Sequence, residues 1–190
     1  MNLFAATGLL ALAGLPVVVH SADLPVVANN AVVDYCFPAV VMSAGIDAVL
    51  QVKGAPGKEV AAPSDLSLTA AGGMKVSSDA KAWEISTSDS GSRLLVMTGA
   101  LAGSLDCHVV VYGRAGSATF ENVKKQFDHG DPFQKRFEKT TVGSPSVTIA
   151  NYGYIDPLGA LNVGALSKRN DDGSEMSRPS AIISLVKARQ

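Results

Sequence analysis

The first 22 residues of the chain contain no Asp, Glu, Lys or Arg, so every charged side chain lies beyond them. Leu3 to Val19 is apolar, broken only by small residues and Pro16, and the stretch closes on Val17-Val18-Val19-His20-Ser21-Ala22 just before Asp23. Signal peptidase needs small side chains one and three residues before its cut, and Val19 and Ser21 supply them for cleavage after Ser21. Residues 1–22 are therefore expected to be a signal peptide, with 23–190 forming a single domain. The segment lacks the Lys or Arg usual at its start, and the competing reading is an uncleaved anchor that would tie the protein to a membrane. An anchor needs about 20 continuous apolar residues, and Gly8, Gly14 and Pro16 interrupt this run.

The other scarcities exclude classes of function. A formal net charge of −1 gives no basic stripe for neutralising phosphates, which argues against a nucleic-acid partner. Lys124-Lys125 and Lys135-Arg136 are isolated pairs and read as solvated faces. No Gly-x-Ser-x-Gly elbow occurs among the serines. With two cysteines and three histidines in the whole chain, no Cys/His spacing resembles a zinc site. No motif asks for a cofactor, and none is expected.

The two cysteines, Cys36 and Cys107, lie 71 positions apart. An even count in an exported, oxidising setting favours a bridge between them. Closing a loop of that length stabilises a fold by roughly 4 kcal/mol on the chain-entropy model.

Asn29-Asn30 offers capping oxygens for a helix in which Val32, Val33, Cys36, Phe37, Val40 and Val41 recur at helical spacing. Pro38 predicts a kink or restart there. Apolar spacing resumes through Ile46, Val49 and Leu50 and stops before Gly54. Residues 54–64 read as a loop, and 65–72 as a short helix ending at Gly72-Gly73. Trp83 to Ser86 alternates, 87–92 turns, and Arg93 to Thr98 is β-compatible, which is a hairpin signal. In the next strand, Leu105 to Tyr112, alternation puts Cys107, Val109 and Val111 on one face. His108, Val110 and Tyr112 take the other. Ser117 or Thr119 is expected to cap a second helix carrying Phe120, Val123 and Phe127, with His129 and Gly130 suited to its end. Strand patterns follow at 133–141, 146–155, 158–166 and 180–188, with turns at 143–145, 156–157 and 170–173. Short connections favour antiparallel pairing. The expectation is an α+β fold: a two-layer sandwich of antiparallel sheet with helices packed on one side, pinned by a helix–strand disulfide. The order of elements also hints at two αβββ halves.

Helical Cys36, Gly73-Met74, Trp83 opening a hairpin, and strand Cys107-His108-Val109 together resemble short uncharacterised exported proteins of proteobacteria. The resemblance covers about the first two thirds of the domain. It implies a periplasmic or secreted home and the helix–strand disulfide, and carries no activity with it.

His108 is the leading candidate for chemistry. Asp106 lies close to it in sequence, but neighbouring strand positions face opposite ways, so an ordinary strand histidine is expected. His129 is explained by the helix end, Trp83 by the core, and the acidic run 170–175 by a turn, since it lacks the EF-hand spacing for calcium. Asn151-Tyr152-Gly153-Tyr154 offers amphipathic contact area for recognition. Binding through His108, Tyr112, Tyr152 and Tyr154 is the candidate site. The expected function is a non-enzymatic binding or interaction module whose partner is an envelope protein or a small ligand. A small periplasmic hydrolase using His108 is the alternative, and a part in an envelope assembly is a third reading.

Overall fold

The computed structural model describes residues 23–69, 72–129, 132–155 and 161–188. The signal-peptide reading of 1–22, Gly130 as a cap residue and the turn at 156–157 fall outside the described residues.

The chain enters α1 (Leu24–Ala31) seven positions earlier than Asn30 would place it. Asp23 is extended and its carbonyl accepts the Val26 and Val27 N–H groups, while Pro25 sits in the first turn, where a missing donor costs nothing. Asn29 and Asn30 are therefore inside the helix rather than capping it. Val32–Val41 continues as a π-helix instead of kinking at Pro38. In an α-helix the proline ring would meet the Asp34 carbonyl. The wider register carries the chain past it, and the Met42 N–H reaches Phe37 O. By length and composition Leu24–Val41 could cross a membrane, yet Leu24, Ala28, Ala31, Val32, Cys36, Ala39 and Val40 are buried in the protein's own core. α2 (Ile46–Lys53) follows and ends at Gly54 with φ of 79°.

Among the described residues, eight strands form one antiparallel sheet. They are β1 (Lys58–Val60), β4 (Lys81–Ile85), β5 (Ser92–Thr98), β6 (Ser104–Gly113), β7 (Gln134–Thr140), β8 (Val147–Ile155), β9 (Leu161–Arg169) and β10 (Pro179–Ala188). Their spatial order is β1-β4-β5-β6-β10-β9-β8-β7. Two meanders, β4-β5-β6 and β7-β8-β9-β10, thus meet last strand to last strand at the β6–β10 pair. β2 (Asp65–Thr69) and β3 (Gly72–Lys75) make a separate hairpin. That corrects two expectations: 54–64 contains a strand, and 65–72 is not helical. Leu66 and Leu68 are two apart, so on a strand both turn to one side, and Leu66 is buried.

α3 (Gly116–His129) starts at Gly116 rather than after a Ser117 or Thr119 cap. The Thr119 N–H already bonds Ala115 O at 2.9 Å. Ser180 lies so close that a Cβ on Gly116 would sit 2.2 Å from its Oγ.

The alternation of β6 sorts the core. Cys107, Val109 and Val111, with Leu94, Val96 and Ile183, pack with the helices, including Phe120, Val123 and Phe127 of α3. Val110 and Tyr112, with Leu95, Met97 and Ile182, pack with Leu66 and Leu68 of the hairpin. Cys36 and Cys107 are bonded, their Cα atoms 5.1 Å apart, which fixes the π-helix to a central strand.

Candidate functional site

Cross-strand register lines up one row on the hairpin side of the sheet. Directly opposite neighbours run Phe137, Asn151, Ala165, Ser184, His108 and Met97 across β7, β8, β9, β10, β6 and β5. Side chains in such a row share a face. Burial deepens along it: Phe137 is exposed, Asn151, Ala165 and Ser184 are half-buried, and His108 and Met97 are buried. Ser184 therefore stands where the covered part of the sheet gives way to the open part.

At that boundary three polar side chains join. His108 Nδ1 lies 2.8 Å from Ser184 Oγ, and His108 Nε2 lies 2.9 Å from Asp106 Oδ2. The same Asp106 oxygen accepts the Ala100 N–H at 2.8 Å. A carboxylate only accepts, so the hydrogen between them belongs to Nε2. In the tautomer with the hydrogen on Nε2, Nδ1 has the lone pair that accepts from the Ser184 hydroxyl. Asp106 is two positions from His108, not one, so the two share a face, contrary to the expectation that they point opposite ways. Ser184 is 76 positions away, and no local signal announces it.

The other expected residues do not gather here. Tyr112 is on the same side of the sheet but lines a different cavity, of about 460 Å³, with Asp65, Ser67 and Arg178. Burial pushes its phenol above the usual 10.0; the Arg93 charge opposes this and Asp65 adds to it. Tyr152 and Tyr154 are on the helix side and buried. The Tyr152 hydroxyl donates to Asp128 Oδ1 at 2.7 Å, and burial together with that bond raises its pKa. Tyr154 meets Phe133 edge-on, with ring centroids 5.1 Å apart. The four residues are thus split between two faces of the sheet.

Ser184 also lines a cavity of about 390 Å³ between the hairpin and the sheet. Leu66, Leu68 and Met74 form one wall, Ile149 and Ile182 lie in the floor, and the Ser167 and Ser184 hydroxyls are set among them. The acidic run is self-satisfied. Asp171 and Asp172 accept the Gly173 and Ser174 N–H groups, and Glu175 Oε2 accepts from the buried Arg169 guanidinium at 2.9 Å. Among the described residues no cluster of three His, Cys, Asp or Glu is placed to hold a metal.

No family model matches the chain, and neither the curated proteins nor the solved structures contain a significant match to it.

Proposed function

We propose that the protein is an exported binding module that takes a small, largely apolar ligand in the trough between the β2–β3 hairpin and the floor strands β8, β9 and β10. The observation that carries this reading is the open trough of about 390 Å³ itself, whose largely apolar lining carries a few hydroxyls, the usual make-up of a small-molecule site. The Cys36–Cys107 bond fits an oxidising compartment, periplasmic or extracellular, and agrees with residues 1–22 serving as a signal peptide. The architecture behind the site is read as helices on one face of the sheet, with the hairpin as a smaller cover on the other. Tyr112, Tyr152 and Tyr154 are then supporting residues rather than ligand contacts.

N-phenyl-1-naphthylamine, an apolar dye, tests the assignment by fluorescence titration. Saturable binding is expected, and Ile149→Trp, which fills the trough from its half-buried floor, should abolish it while leaving the circular dichroism spectrum unchanged. Absence of saturable binding, or binding indifferent to Ile149→Trp, would refute the trough as the site.

A second reading, a small hydrolase using His108, is favoured by one specific observation: the unbroken chain of hydrogen bonds from Asp106 through His108 to Ser184.

A further inference from the structure

We infer that Ser184 is the nucleophile of an acyl-transfer site, with His108 as its base and Asp106 as the residue that positions the imidazole; this rests on the hydrolase reading. A buried histidine satisfied by two neighbours would account for His108 and Asp106 alone. It does not account for the third member, a half-buried serine that lines an open, largely apolar cavity and whose hydroxyl is hydrogen-bonded to the ring nitrogen opposite the carboxylate. Nucleophile, base and orienting carboxylate within hydrogen-bond reach of one another are the arrangement that activates a serine. Here Nδ1 rather than Nε2 faces the hydroxyl. Either nitrogen of a neutral imidazole can hold the lone pair, so the chemistry is unchanged.

The substrate class follows from the cavity. Leu66, Leu68, Met74 and Ile182 surround the approach to Ser184, which suits an ester with an apolar acyl chain and disfavours a charged one. In the first step Ser184 Oγ bonds to the ester carbonyl carbon and its proton passes to His108 Nδ1. The resulting imidazolium is stabilised by the Asp106 carboxylate. Collapse of the tetrahedral intermediate breaks the bond to the alcohol oxygen, and His108 returns the proton to that leaving group. Water then attacks the acyl-Ser184 carbonyl, again giving its proton to His108. The carboxylic acid leaves, and the proton returns to Ser184 Oγ.

The strand setting also fixes how fast this site can be. β10 is paired on both sides, so the backbone N–H groups beside Ser184 are committed to the sheet and do not form an oxyanion hole. The Ser167 hydroxyl lines the same cavity on β9 and is held by a contact of 3.4 Å to Ile182 O. Its hydroxyl is the donor that the inference assigns to the developing oxyanion. A missing oxyanion donor costs about 10²–10³-fold in rate, so activated esters and a covalent probe are the appropriate substrates.

The disulfide-bonded mature protein is mixed with p-nitrophenyl acetate and p-nitrophenyl butyrate, and separately with a fluorophosphonate probe. The expected result is release of p-nitrophenol with an initial burst approaching one equivalent, and a phosphonylated peptide containing Ser184. Ser184→Ala, checked for folding by its melting temperature, should lose both. Asp106→Asn should slow labelling by about 10²-fold or more and change its pH profile, which a purely structural carboxylate would not do. His108→Ala empties a fully buried site and risks unfolding, so Ser184→Cys is the second probe: it should keep the burst and alkylate readily with iodoacetamide. No burst and no label on Ser184 would overturn the inference. Turnover that survives Ser184→Ala would overturn it as well, while leaving a hydrolase with another nucleophile standing.

Discussion

Reducing the Cys36–Cys107 bond removes a cross-link while leaving both sulfur atoms in the core, so it isolates the effect of loop closure. The loop spans 71 residues and joins the π-helix to β6. On the chain-entropy model a loop of that size stabilises the folded state by roughly 4 kcal/mol, by restricting the unfolded chain. Domains of this kind have about 5–15 kcal/mol in all, so the reduced protein should remain folded but with little margin. With a urea m-value of about 2 kcal/mol/M, the midpoint should fall by about 2 M. The assay is equilibrium urea unfolding, followed by tryptophan fluorescence from Trp83, with and without reductant. A second signature separates mechanisms. Reduction lets the unfolded chain expand, so m should rise as the midpoint falls. Replacing both cysteines by Ala should cost more than reduction, because both side chains are fully buried and their removal leaves a void. A midpoint shift below about 0.5 M with unchanged m would refute the reasoning. It would mean that the helices and β6 are already held together in the unfolded ensemble, or that their docking does not depend on the bond.

Two further outcomes can be stated from the packing and the charges. Gly116→Ala should lower stability by about 1–2 kcal/mol even though alanine is the better helix former, because overpacking costs about 1–3 kcal/mol and the new Cβ would sit 2.2 Å from Ser180 Oγ; a calorimetric melting temperature equal to or above the parent's would contradict this. For Asp128, burial alone would raise the pKa, but hydrogen bonds from Tyr152 and Lys135 and the Lys135 and Lys124 charges hold it below the usual 3.8. Its stabilisation is therefore whole above pH 3.8 and lost as pH falls through the depressed value; urea midpoints measured down the acid limb should fall more steeply for the parent than for Asp128→Asn, and parallel slopes would sink the assignment.

What could be read from the chain was local. The Trp83 hairpin, the two faces of β6 and the Phe120/Val123/Phe127 stripe of α3 each depend on residues a few positions apart, and periodicity reports those. The β2–β3 hairpin was misread because two leucines in a short Ala- and Gly-flanked run do not separate period two from a single helical turn. The π-helix was out of reach for a related reason: Pro38 predicts a disturbance, but whether the chain kinks or widens is settled by the core that Cys36, Ala39 and Val40 enter. Tyr152 and Tyr154 read as a recognition pair because two tyrosines around a glycine offer amphipathic contact area, and both fall on one face of β8. Which face that was depended on α3 packing over it, with Asp128 waiting for the Tyr152 hydroxyl. The polar site failed to show for the most basic reason. Asp106 and His108 belong to the first meander and Ser184 to the second, and nothing in either segment states the register between them.

That register makes the site a consequence of how the halves join. His108 is opposite Ser184 across β6 and β10, the seam between the two meanders. Moving β10 by one residue would turn Ser184 to the helix face and bring an isoleucine or leucine, Ile183 or Leu185, over the imidazole. That exchange would remove the hydroxyl that satisfies Nδ1 and send a buried apolar side chain out of the helix-side core. Both costs fall together, so the hydrogen bond and the hydrophobic alternation of β10 select the same pairing. Ser184 is consequently placed by the fold's most central strand contact, on a rigid element. The hairpin that walls its cavity is joined to the rest of the molecule by packing and by loops, not by strand pairing to the main sheet. On the proposed binding reading, a fixed floor with a separately attached wall would let the trough take ligands of different size while the geometry at His108 is kept.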